Sequence, residues 1–250
     1  MDMAVLGIVG LLSGFLLGSV YVSGSIILSL LLFYIPPWLM GTHVPMVDIT
    51  IIVGFQAVIA ALIVLPFRWF DMHWSLLRII LVPAVLASLG GGLWLRIIPT
   101  DVIVGLLGAV TLGAVFLTIW PPHFYDFGGH STSRLLLLAF MGVLVGFFGG
   151  TLGLGGGFIL VPVLRSYGVS LHHSISNALI AGGLITFVGL IAKLPHHLVP
   201  WPIILVVGLS SALGTFLGSY SAQRIPTVWL RYLVLGGMCI ASVKIWIGFL

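Results

Sequence analysis

Glycine stands at 153, 155, 156 and 157 in the stretch GGTLGLGGGFILVPVL, residues 149–164, and an apolar run carrying Pro162 follows at once. Residues of this type do chemistry through the backbone. Without a Cβ they take positive φ at little cost, so successive amides can turn inward and approach a ligand. Converging N–H groups form a nest for an anion, and the helix that follows presents its positive dipole end to the same place. In the first half of the chain Ser23-Gly24-Ser25 occupies the corresponding position, with hydroxyl donors in place of two amide-only positions. A small oxyanion held between two such loops would need no buried cation, which is expensive to place in hydrocarbon. Contiguous glycines weaken a helix by about 1 kcal/mol each, so 153–157 reads as a loop. Gly10/Gly14/Gly18 and Gly142/Gly146/Gly150 instead recur every fourth residue, the spacing of close helix packing.

Those loops need a frame, and the composition dictates which. Of 250 residues 60% are hydrophobic and 6% charged, where soluble domains carry about 25% charged residues. Residues 3–47 contain no Asp, Glu, Lys or Arg, and further uncharged runs span 49–67, 79–95, 102–125, 135–164, 166–192 and 194–223. A spanning helix needs about 20 mostly apolar residues, so the chain is expected to be an all-α, polytopic membrane bundle. The start, MDMAVLG, lacks a basic region and a small-residue cleavage site, and reads as a first membrane segment. The nine basic residues are scattered singly, which excludes a nucleic-acid footprint. Cys239 has no partner for an internal disulfide and reads as buried apolar filler.

The chain repeats itself. Shifted by 132, Gly10, Gly14, Gly18 and Gly24 fall on Gly142, Gly146, Gly150 and Gly156. Beyond the second segment the shift becomes 127: Trp74 falls on Trp201, Gly91 on Gly218, and Ile98-Pro99-Thr100 on Ile225-Pro226-Thr227. The first repeat, 1–120, reads as segments near 4–20, 26–40, 49–66, 76–95 and 101–120. The linker is 121–134. The second repeat, 135–250, reads as 135–150, 158–167, 174–192, 202–222 and 227–247, and both repeats form one integrated transmembrane domain. Five segments are odd, so the second half starts on the opposite side of the membrane, giving an inverted repeat. Arg68, Arg134, Arg165 and Arg224 gather on one side, against Arg96, Lys193 and Lys244 on the other, which puts the N-terminus outside the cytoplasm.

The second segment of each half is expected to be broken or re-entrant. Ile26–Ile35 before Pro36-Pro37, and Phe158–Tyr167 before Gly168, are ten residues each. That is about 15 Å, half the hydrocarbon thickness. Short, glycine-interrupted segments at matching places in two halves mark a transporter's binding site.

At these residues the chain resembles the TauE/SafE sulfite exporter family of membrane permeases. GFFGGTLGLGGGFILVPVL is the close match and GFLLGSVYVSGSIILSLLL the diverged one, with Ser23 and Ser25 where glycines would stand and Leu30 where a proline would. The likeness extends to Ser176-Asn177 in HHSISNAL, with Ile49-Thr50 at the matching place in VDITII. The resemblance implies export of sulfite, sulfoacetate or a related organosulfur anion across the cell membrane. The substrate-binding set so implied is Ser23, Gly24, Ser25, Gly153, Gly155, Gly156, Gly157, Ser176 and Asn177.

Arg78 and Arg231 lie four or five residues inside their helices, where they either snorkel to headgroups or guide anions inward. Gln56 has no charge nearby and can bond a ligand or a neighbouring helix. His172-His173 and His196-His197 sit at helix ends without a carboxylate or cysteine close by, as interfacial residues and not as a metal site. Asp48 and Asp101 start helices, where they complement the dipole. No cofactor is called for, and the partners expected are a small anion, the bilayer and a second copy of the chain in a homodimer. No carboxylate lies in mid-membrane, which favours a gated anion uniporter driven by membrane potential over coupling to protons or sodium. Two other classes compete. Ser13 or Ser23, each followed by glycine, could imitate an intramembrane protease nucleophile, but the eight histidines fall in loops or at helix ends. A membrane scaffold would not need two matching broken segments.

Overall fold

A computed structural model describes residues 3–20, 24–40, 44–68, 72–95, 97–119, 132–196 and 200–221, together with 236, 239 and 243. Nine α-helices are seen among these residues: α1 (Met3–Val20), α2 (Gly24–Met40), α3 (Met46–Arg68), α4 (Trp74–Trp94), α5 (Thr100–Ile119), α6 (Thr132–Leu152), α7 (Gly157–Ser166), α8 (Leu171–Lys193) and α9 (Trp201–Ser221). A 3-10 turn, Leu194–His196, follows α8. The expected segment 227–247 falls almost wholly outside the described residues, and Cys239, one of the few described there, is exposed and not buried filler.

Helix ends follow local chemistry. Asp48 and Asp101 occupy the first turns of α3 and α5, next to free amides and the positive dipole end. The Ser170 hydroxyl caps α8 by accepting from the His173 amide. Arg165 stands in the last turn of α7, where a cation complements the negative end.

One expectation is corrected. The second segment of the first half does not stop at Ile35: α2 runs 17 residues and passes through Pro36 and Pro37. In a membrane bundle the backbone groups that proline frees can be satisfied locally and by neighbouring helices, so proline marks a helix end less strictly there than in water. The matching α7 is ten residues, as its sequence suggests.

Close glycine contacts fix the helix register. Gly10, Gly14 and Gly18 of α1 lie against Val207, Ser211 and Thr215 of α9, and Gly142, Gly146 and Gly150 of α6 lie against Ile80, Ala84 and Ser88 of α4. Residue numbers rise together in each pair, so each pair runs parallel. Helices α3 and α8 run antiparallel, with Thr50 beside Lys193, Gly54 beside Leu190 and Ala61 beside Gly183. The bundle therefore has a Lys193 end, where α4, α6 and α8 finish and α3 and α9 begin. At the opposite end, near Asn177, α4 and α8 begin and α1, α3 and α9 finish.

Five helices are long and apolar enough to cross a membrane: those covering Met46–Pro66, Trp74–Trp94, Leu135–Leu152, His173–Lys193 and Trp201–Ser221. Their outer faces are apolar, for example Val82 and Leu86 on α4 and Leu205, Leu209 and Leu213 on α9. The buried set instead includes Ser13, Thr50, Gln56, Ser88, Thr151, Asn177 and Lys193. Apolar outside and polar within is the pattern of a bundle whose solvent is lipid.

Candidate functional site

The site is built where α6 stops. Its last residues are Thr151 and Leu152, and α7 starts at Gly157. Between them Gly153, Gly155 and Gly156 have φ of 75°, 70° and 67°, the left-handed region that favours glycine. Every residue from 151 to 157 is buried. Two of the three positive-φ positions are also pressed on by neighbours. A Cβ on Gly153 would strike the Thr50 carbonyl of α3, and one on Gly156 would strike the Val145 side chain of α6.

Hydrogen bonding in the turn is incomplete. The Gly153 amide donates to the Gly149 carbonyl at 3.0 Å, closing α6, and the Ile159 and Leu160 amides donate to the Gly156 carbonyl. The amides of Leu154, Gly155 and Gly156 have no acceptor among the described residues. Buried N–H groups without a partner are rare in folded proteins, because each forfeits its hydration. Three in succession, ahead of a helix N-terminus, form an arrangement suited to an anion or to ordered water. Gly153 thus supplies conformation and no free donor.

A residue that the sequence places just past the segment 174–192 lies beside this turn. Lys193 is 1% exposed, and its Nζ donates to the Thr151 carbonyl at 2.9 Å and to Thr50 Oγ1 at 3.4 Å. A buried basic residue thus stands beside the turn, where the sequence reading required none. The signal was in the sequence: Lys193 is the single charge between Arg165 and Arg224. Its position at the end of α8 makes it look interfacial until α3 and α6 are packed around it. Thr50, marked by sequence as the counterpart of Asn177, closes the group, donating to the Val47 carbonyl while accepting from Lys193.

The remaining expected residues do not gather here. Ser176 and Asn177 are buried at the start of α8, and Asn177 is about 24 Å from Lys193 by helical rise. There Asn177 Oδ1 accepts from the His73 amide at 2.7 Å and its Nδ2 donates to the His173 carbonyl at 2.6 Å, tying the α3–α4 connection to α8. Asn177→Ala leaves the His73 amide without its acceptor. It is expected to destabilise the fold by about 1–2 kcal/mol, read as a lower denaturation midpoint. Gly24 opens α2 against Leu17 of α1, near the end where α1 and α9 finish. Thr215, which contacts Gly18, is about 20 Å along α9 from its start at the Lys193 end. The Gly24 segment and the glycine turn thus lie toward opposite ends of the bundle, and a single small anion does not touch both. Ser25 is buried, and its carbonyl accepts from Ser29 Oγ. Ser23 and Arg231 fall outside the described residues. Arg78 is exposed near the start of α4, about 20 Å along that helix from Gly91, which touches Thr151.

Gln56 is fully buried in the middle of α3; its Nε2 donates to Ser13 Oγ at 2.9 Å and its Oε1 has no partner. Ser13 Oγ in turn donates to the Gly10 carbonyl, so its described partners include no histidine of the kind a serine nucleophile requires. Among the described residues no group of three or more His, Cys, Asp or Glu could hold a metal ion.

A helical bundle with lipid-compatible faces and a buried break between two of its helices defines a polytopic membrane protein. The chain belongs to the sulfite exporter TauE/SafE family, whose model matches residues 6–245. Neither curated proteins nor solved structures gave a significant match. The family is one of transporters.

Proposed function

We propose that this protein exports a small sulfur oxyanion or organosulfonate, such as sulfite or sulfoacetate, from the cytoplasm across the cell membrane. The observation that carries the reading is the row of three buried, unpartnered amides from Leu154 to Gly156, set by three left-handed glycines at the head of α7. An oxyanion accepts such N–H bonds without needing a proton, and the α7 dipole favours its charge.

We read the architecture as two inverted repeats, 1–120 and 135–250 joined by 121–134. Two observations support this. Helix α1 meets α9 at 10/207, 14/211 and 18/215, while α6 meets α4 at 142/80, 146/84 and 150/88. The sequence shifts of 132 and 127 convert one set of pairs into the other. The two third segments, α3 and α8, pack antiparallel, as a two-fold axis in the membrane plane requires. The glycine turn and the Ser23-Gly24-Ser25 segment then act as separate stations toward the two faces. With the basic side cytoplasmic, the Gly24 station faces the cytoplasm and the glycine turn is the exit. Single cysteines at Met72 and Ser170 in a Cys239→Ser background are expected to react with an impermeant maleimide from the cytoplasmic side alone. Cysteines at Pro45 and Pro99 are expected to react from the outside alone; labelling of all four from one side contradicts the repeat.

The driving force is the membrane potential, which supplies about 2.3 kcal/mol per charge per 100 mV to a departing anion. Purified protein in liposomes is expected to release trapped sulfite in a saturable way when a potential negative on the side of release-origin is imposed with potassium and valinomycin. Dependence on an imposed proton or sodium gradient would overturn the uniport mechanism, and release no faster than from empty liposomes would overturn the transport function.

A further inference from the structure

Lys193 is the counter-charge of the exported anion, we infer, and it makes the glycine turn a site for oxyanions of a single negative charge, sulfonates and hydrogen sulfite above all. The inference rests on the export reading and narrows it: hydrogen sulfite and sulfonates with one charge are favoured over sulfoacetate, which carries a second charge on its carboxylate. A lysine 1% exposed inside a lipid-facing bundle keeps its charge only where that charge is compensated. Its two partners, the Thr151 carbonyl and Thr50 Oγ1, are neutral oxygens. An ammonium has three hydrogens to donate, so one is left over. The nearest carboxylate in sequence to these partners is Asp48, two residues before Thr50 on α3, and residues at that spacing do not face each other on a helix.

The bond to Thr151 fixes the charge at the start of the turn. Thr151 ends α6 only three residues before Leu154, the first amide without an acceptor. The turn is held against the same helix as the lysine's second partner, since Gly153 abuts the Thr50 carbonyl. The amides bind oxygen but carry no net charge, so they do not decide how many charges the ligand brings. The lysine does. One buried positive charge is neutralised by one negative charge. A second negative charge would stand uncompensated where the surroundings screen it poorly. A bare helix C-terminus would also accept a lysine as a cap, and that purely structural role requires no such discrimination among anions.

Wild-type protein in liposomes is measured with methanesulfonate and sulfate as probes at one pH and one potential, alongside Lys193→Gln and Lys193→Arg. Wild type is expected to move methanesulfonate at least tenfold faster than sulfate at equal subsaturating concentration. Lys193→Gln is expected to raise the KM for methanesulfonate at least tenfold and to level the two anions, and Lys193→Arg to retain the preference. Equal wild-type rates for the two anions overturn the inference, whether or not either variant folds. A Lys193→Gln protein with unchanged KM and unchanged preference overturns it as well, and leaves the export function standing. Wild type that moves neither anion above empty liposomes overturns the export function itself.

Discussion

Gly156→Val is expected to cut anion release from liposomes at least tenfold while α6 and α7 keep their helical content. Gly156 has φ of 67° as the N-cap of α7. A residue with a Cβ loses about 1–2 kcal/mol in that conformation, and a β-branched one more. The new side chain would also meet Val145 across the turn. The cheapest relief is to rotate the backbone out of the left-handed region, which turns the Gly156 and Gly157 amides away from their neighbours. Binding falls about tenfold for each 1.4 kcal/mol lost, so one misdirected charge-assisted hydrogen bond is enough. Circular dichroism and flux on the same preparation separate a redirected turn from a protein that failed to fold. A Gly156→Val protein that folds and transports like wild type would remove the turn from the mechanism.

Gly146→Leu is expected to have the largest effect on stability. Gly146 lies so close to α4 that a Cβ would collide with the Ala84 backbone, which cannot rotate away as a side chain can. Inserting a branched side chain there forces α4 and α6 apart along the seam that ends at Ser88 and Gly150, next to the turn. Overpacking of this kind costs about 1–3 kcal/mol where side chains can adjust, and more where backbone must move. A fall in melting temperature of the detergent-solubilised protein, with poor recovery of monodisperse material, is the expected result. Gly14→Leu is expected to behave alike, because Gly14 meets the Ser211 backbone of α9 in the corresponding register. Gly90→Ala is the control: nothing lies within 4 Å of a Cβ there, and helix propensity favours alanine by about 1 kcal/mol. If Gly146→Leu melts with wild type, or Gly90→Ala melts well below it, the packing account is wrong.

What could be read in the sequence was what a single segment encodes. The long apolar runs gave helices close to their observed bounds, because lipid demands satisfied backbone and helices satisfy it within one segment. The glycine turn was legible for a related reason, since GLGGG carries its own conformational instruction whatever surrounds it. Glycines at every fourth residue likewise announced tight helix pairs, although not their partners. Three things needed the packed structure. The course of α2 through Pro36-Pro37 depends on neighbours that satisfy or tolerate the freed backbone groups. The burial of Lys193 depends on α3 and α6 closing over the end of α8, so a residue at a helix terminus looked interfacial in isolation. The distance between the Gly24 segment and the glycine turn depends on the register of α1 against α9 and of α3 against α8. Neither stretch carries that register alone, and so a shared site between them seemed reasonable from sequence.

Amide proton shifts of the glycines offer the most direct view of the proposed contact. Protein labelled with nitrogen-15 at glycine would be titrated with methanesulfonate in lipid nanodiscs, with single glycine replacements assigning the signals. Saturable downfield shifts at Gly155 and Gly156, with Gly153 little moved because its N–H already bonds Gly149, are the result expected here. Unmoved signals at both, in protein that still transports the anion, would mean that it crosses by another route.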